Sequence, residues 1–254
     1  MASEHIIKVY DEELDQLNNT IAQMGGLAEI QLANAIQAAV KRDAELGAET
    51  VAADSKIDDL EHQVQDQVVR LLALRQPMAR DLRNIVAALK ISSDIERIAD
   101  YATNVAKRAI ALTQVPAVRP LNSIPRMSAL AQSLIKEVLD AYVERDVEKA
   151  MQVWRRDEEL DEMYAAFFRE LLTYMMEDPR NITPCTHLLF IAKNIERIGD
   201  HATNIAETVH FLVAGGPIRE TRPKGDTSSF AVLAPAPARR TEKRPARSAK
   251  TTRD

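Results

Sequence analysis

The chain has 254 residues, 46% of them apolar and only 4% aromatic, with a formal net charge of −5. That length and apolar share are enough for a sizeable core, and the scarcity of aromatics beside abundant Ala, Leu, Ile, Val, Glu and Arg favours packed helices over sheets. A single cysteine, Cys185, excludes an intrachain disulfide and a zinc ribbon, so a reducing compartment is expected.

At the N-terminus no basic region precedes an apolar run, and no window reaches the ~18 uninterrupted apolar residues of a membrane span, so a cytoplasmic location is expected. Glycine and proline are sparse, and long unbroken stretches of helical periodicity must then be long helices. The first helix is expected from about Ile6 to Gly47, which closes it. A second runs from about Glu49 to Arg75, because the residue before Pro77 is pushed out of the α region. A third covers about Arg80 to Leu112.

Pro116, Pro120 and Pro125 cluster in a stretch without periodicity, read as a linker over residues 116–125. Three more helices follow, at about Ser128–Arg145, Val147–Met176 and Thr183–Val213, with Gly215-Gly216-Pro217 as a stop. The fold class expected is all-α: two tandem three-helix bundles related by an internal repeat, residues 1–115 and 126–214, with helix pairs crossing at roughly 20°. On the third helix Leu82, Ile85, Leu89, Ser92, Ile95, Ala99, Ala102 and Ala106 form an apolar stripe, matched on the sixth by Leu188, Ile191, Ile195, Ile198, Ala202, Ile205, Val209 and Leu212.

Residues 215–254, rich in Pro, Arg, Lys, Ser and Thr, are expected to form a disordered basic tail. From Pro217 onward ten Lys/Arg face four Asp/Glu, which leaves the rest of the chain at about −11 and argues against nucleic-acid binding by the folded part.

The repeat is visible in DIERIADYATNVAK (94–107) and NIERIGDHATNIAE (194–207). Each copy holds a carboxylate pair four residues apart on one helix face, Glu96 with Asp100 and Glu196 with Asp200. The preceding helices carry Asp54 with Asp58, and Asp157 with Asp161. Asp58 and Glu96 lie 19 residues either side of Pro77, and Asp54 and Asp100 lie 23 either side. Antiparallel neighbours therefore bring all four to one level, roughly 28–35 Å from the turn at ~1.5 Å per residue. Around Pro179 the offsets are 18 and 22 before, 17 and 21 after. Four carboxylates at one level repel unless cations neutralise them. The metal candidates are thus Asp54, Asp58, Glu96, Asp100, Asp157, Asp161, Glu196 and Asp200. Oxygen donors suit magnesium, manganese or iron, divalent or trivalent, better than a structural zinc.

The bland alternative is ion pairing with Arg97, Arg197, Arg83 or Lys90, the usual fate of helical i, i+4 charges. A di-iron oxidase would need Glu-x-x-His on two helices; Glu207 and His210 supply one such pair, and Lys107 with Ile110 stand at the equivalent place. His201, beside Asp200, is read as a supporting group, and Trp154, Phe167, Phe168, Tyr174, Met175 and Met176 as core. No glycine-rich phosphate loop, nucleophile elbow or Cys-His pairing occurs, so no catalytic residue is assigned; a carboxylate-bridged metalloenzyme or metal store is the alternative function.

The doubled Glu-Arg-Ile-(Ala/Gly)-Asp, each copy paired with an upstream Asp-x-x-x-Asp, resembles the PhoU family of phosphate-response regulators over about residues 5–214. The resemblance implies two three-helix bundles, a homodimer, and multinuclear metal clusters on Glu96 and Asp100 and on Glu196 and Asp200. It further implies a cytoplasmic protein, peripheral to the inner face of the membrane, acting with the ATPase subunit of a phosphate ABC transporter and a membrane sensor histidine kinase. The implied task is to restrain phosphate uptake and hold the phosphate-starvation regulon off when phosphate is plentiful. Ala99 and Tyr101 stand in the first copy where Gly199 and His201 stand in the second.

Overall fold

The computed structural model describes residues 2–75, 77–78, 80–222 and 224–225. Its helices are α1 (Ala2–Lys41), α2 (Ala44–Ala52), α3 (Ser55–Arg75), α4 (Arg80–Leu112), α5 (Ile124–Glu144), α6 (Val147–Glu177) and α7 (Ile182–Ala214), with short 3-10 turns at Arg119–Ser123 and Pro179–Asn181. Each half contributes three long helices, α1, α3 and α4 and then α5, α6 and α7. Among the described residues there is no strand, and no helix is long and apolar enough to cross a membrane.

Two breaks fall where continuous helix was expected. Arg42 adopts a left-handed conformation with φ of 55°, and the Asp43 side chain accepts a hydrogen bond from the Leu46 amide at 3.0 Å, capping α2. The first helix therefore ends at Lys41, and Gly47 is buried inside α2 instead of closing a helix. A second break at Ala53–Asp54 separates α2 from α3, so Asp54 precedes the helix that carries Asp58. Pro125 does not belong to a linker: it stands in the first turn of α5, where its missing N–H has no intrahelical acceptor to lose.

The halves are not beads on a string. The most extensive packing in the molecule is between α4 and α7, α1 packs on α5 as well as on α4, and the buried apolar residues form one continuous cluster. Because α4 is covered from both sides, its buried face is wider than one stripe and takes in Ala87, Ala88, Ile91, Ile98, Val105 and Ala109, while Leu82 and Leu89 lie at its exposed margin. The α7 stripe is buried throughout.

After Gly215, whose φ of 78° ends α7, the chain turns back. Ile218 packs against the core cluster, and Arg222 and Gly225 reach acids of α6 and α7. The first part of the expected tail is thus ordered, because it carries a cation and an amide that buried carboxylates need. The remainder lies outside the described residues.

Candidate functional site

In the second half Asp157 and Asp161 project from α6, and Glu196 and Asp200 from α7. One nitrogen, Nη2 of Arg222, lies 2.7 Å from Asp157 Oδ2 and 2.7 Å from Asp200 Oδ1. The two helices therefore do present these acids to each other at one level. The Gly225 amide donates to Asp161 Oδ2 at 3.0 Å, and Lys193 donates to Glu196 Oε1 at 2.8 Å. Glu196 Oε2 is buried with no hydrogen-bond partner among the described residues.

Burial pushes the Glu196 carboxyl up to about 7; Lys193 opposes the rise, and the charges of Asp200 and Asp161 add to it. Asp157, only 1% exposed, is also raised by burial, with Arg222 pulling the other way. This half holds more negative charge than its described cations neutralise comfortably.

In the first half Gln31 of α1 donates to Asp54 Oδ1 at 2.9 Å. Arg97 binds Asp100 at 2.9 Å and lies 3.4 Å from Glu96. Asp58 is raised by burial and then by the charges of Asp54 and Asp100, so α3 and α4 face acid to acid despite the break at Asp54. Burial and the neighbouring Asp100 push Glu96 up to about 7, against Arg97. Arg97 is 55% exposed at its side chain, whereas Arg222 is 18% exposed; the first cluster is open to solvent and the second is covered.

All eight predicted acids fall into two groups, four in each half. Among the described residues, however, no three His, Cys, Asp or Glu converge as a ready-made metal site. The donor chemistry, the orphaned Glu196 oxygen and the raised carboxyls fit a hard cation; the present spacing is that of carboxylates separated by organic cations. Of the cations named from sequence only Arg97 pairs with these acids. Arg197 lies over the Tyr101 ring and Lys90 over Phe211, while the Arg83 Nε is buried without a partner. Lys193 and Arg222 were missed: Lys193 stands three residues before Glu196, a spacing that could have flagged it.

Glycine at 199 has a local cause. A Cβ there would lie 2.5 Å from Leu160 Cδ2 and 3.2 Å from Asp157 Oδ1, so a methyl would have to displace the fully buried Leu160 side chain. Gly199→Ala is expected to destabilise by about 1–3 kcal/mol through overpacking, read from urea denaturation. Ala99→Gly, at the repeat-equivalent place, should cost only about 0.5–1 kcal/mol; equal losses would refute the close-approach argument.

His201 points away from the cluster. Its Nδ1 is 2.8 Å from Asp94 Oδ1, and its ring centroid is 5.6 Å from that of Tyr101, across the α4–α7 contact. Glu207 accepts from Trp154 Nε1 at 3.1 Å, and His210 Nδ1 lies 3.0 Å from the Gly216 carbonyl. The single Glu-x-x-His pair is therefore engaged elsewhere. Trp154 and Phe167 are core residues, but Met176 is exposed.

The profile of the PhoU domain matches the chain twice, at residues 21–109 and 124–209. A phosphate-specific transport system accessory protein PhoU homolog of Caulobacter vibrioides is 53% identical over 228 residues, covering 89% of this chain and 99% of that protein. Its counterpart in Rhizobium meliloti is 49% identical, over 90% and 97%. The crystal structure of PhoU from Pseudomonas aeruginosa superposes with a TM-score of 0.79 at 38% identity, covering 82% of this chain and all of that one. Two domain matches, one per three-helix half, coincide with the doubled acidic motif and with near-complete coverage of the relatives, and on those grounds the chain belongs to the PhoU family.

Proposed function

We propose that the protein is the accessory regulator of a phosphate-specific transport system, restraining high-affinity phosphate uptake and, through a membrane sensor histidine kinase, holding the phosphate-starvation response off in phosphate-replete cells. The observation that carries this reading is the 53% identity, over 99% of its length, to a protein named as an accessory of phosphate-specific transport. The chemistry agrees: long helices with acidic faces and no assigned nucleophile or base suit a partner that works by binding alternative states of a transporter ATPase or kinase differently, not by making bonds. It works at the cytoplasmic face, as a homodimer.

The two carboxylate groups belong to this proposal as metal-dependent stiffeners. Asp54, Asp58, Glu96 and Asp100 would hold ions in the first half, and Asp157, Asp161, Glu196 and Asp200 in the second. A bound iron, manganese or magnesium ion would supply positive charge that cancels repulsion between neighbouring helices. The residues' part is to present oxygens from two helices at one level, with Lys193 orienting Glu196.

The test is a phosphate-starvation reporter such as alkaline phosphatase, measured in phosphate-replete cells with the gene deleted and then restored. Deletion should raise reporter activity and restoration should reverse it. Unchanged reporter activity together with unchanged phosphate uptake would sink the reading.

A further inference from the structure

Related by the repeat, the two acidic clusters differ in what covers them. Over the first lies Arg97, a half-exposed side chain of α4 itself, which can swing aside without moving any backbone. Over the second lies a piece of chain from beyond the last helix. Arg222 joins Asp157 to Asp200 through one nitrogen, and three residues on, the Gly225 amide donates to Asp161. These are charge-assisted bonds to carboxylates of which two, Asp157 and Asp161, are almost fully buried.

The fit at Gly225 is close. A Cβ there would lie 3.0 Å from the Glu158 carbonyl oxygen and 3.2 Å from Asp161 Cβ, so the glycine lets backbone approach the α6 backbone near Asp161. Elsewhere the segment's apolar anchor is Ile218, partly buried against the core cluster. Ile218, Glu220 and Arg222 line a cavity of about 560 Å³ together with Trp154 of α6 and Glu207 of α7. A strand of chain held mainly by polar contacts over a cavity can leave without dismantling the core.

We infer that the segment from Ile218 to Gly225 is a removable occupant of the second acidic cluster, an internal cation that competes with metal there while leaving the first cluster free to load. Arg222 takes one oxygen each from Asp157 and Asp200, and the Gly225 amide takes one from Asp161. A divalent ion drawing on those acids must displace the guanidinium, and a docked segment must keep the ion weak. Loading then proceeds in order, first cluster before second, and filling the second releases Arg222 and Gly225. The inference rests on the proposal that these acids hold metal.

The test titrates manganese(II) into the full-length, metal-stripped protein and follows both bound ion and trypsin cleavage at Lys224–Gly225. Wild type should bind manganese tightly at one cluster and weakly at the other, with cleavage accelerating only as the weak class fills. Arg222→Gln should tighten the weak class by at least about tenfold and make the bond cleavable without metal. Gly225→Val, which leaves every charge in place and crowds the Glu158 carbonyl and the Asp161 and Glu162 side chains, should do the same and covers the case in which Arg222→Gln folds poorly. Identical affinities and stoichiometry in all three proteins would overturn the competition while leaving the metal proposal standing. Cleavage at Lys224–Gly225 equally fast in wild type and variants, with or without manganese, would likewise overturn it. Failure of all three to take up manganese would overturn the metal proposal and the competition together.

Discussion

Ile198→Ala lowers the thermal midpoint by about 5–15 °C, the equivalent of about 2–5 kcal/mol for a fully buried isoleucine truncated without collapse of the site, and it does so in a single transition. Ile198 is 0% exposed on α7, and the core it belongs to runs unbroken from α1 to α7. Ile98→Ala, the repeat-equivalent change on α4, is expected to move the same transition by a similar amount. Calorimetry decides the matter: two separated transitions, each sensitive to one of the substitutions, would mean that the halves unfold independently and that the α4–α7 packing does not couple them.

The second large effect concerns Glu196. With its carboxyl pushed from an ordinary 4.5 to about 7 by burial, the folded state binds this proton more tightly than the unfolded chain does. Stability contributed by the neutral form is therefore fully present below about pH 4.5, is lost as pH rises toward about 7, and is flat above. In metal-free protein Glu196→Gln should abolish that slope and, above pH 7, raise stability by about 2 kcal/mol, with the Lys193 pairing already set against the gain. Denaturation midpoints from pH 5 to 8 measure it. A wild-type protein that gains stability over that range relative to Glu196→Gln would show that Lys193 and not burial governs the group.

Much of this arrangement was legible from sequence because it follows from period and length. α4, α6 and α7 are long stretches of unambiguous helical periodicity, and Pro77 and Pro179 fix their turns, so the heights of the eight acids could be counted out in residues. What counting could not give was direction. That α4 lies against α7, and hence that Leu82 and Leu89 are marginal while Ala87 and Ala88 are buried, depends on a contact between elements about 100 residues apart. The break at Arg42–Asp43 was hidden because a non-glycine residue takes the left-handed turn, against the usual preference. Arg222 was hidden for a different reason. Its neighbours have the composition of a solvated tail, and composition averages over a stretch in which one guanidinium and one amide find buried partners.

Positions 101 and 201 are the same place in the repeat, and their rings face each other across the α4–α7 contact. Like meeting like is the mark of a two-fold axis, the geometry by which identical copies assemble. Here both copies are tethered by residues 113–123, so their association is intramolecular and dilution cannot part them. The tether also frees each copy from its twin. Between identical molecules any change on one side of the axis appears on the other; within one chain Asp94 can bind His201 while its counterpart Asn194 turns to the Phe190 carbonyl. One protein can therefore carry two versions of a single acidic receptacle, one open and one covered by its own chain.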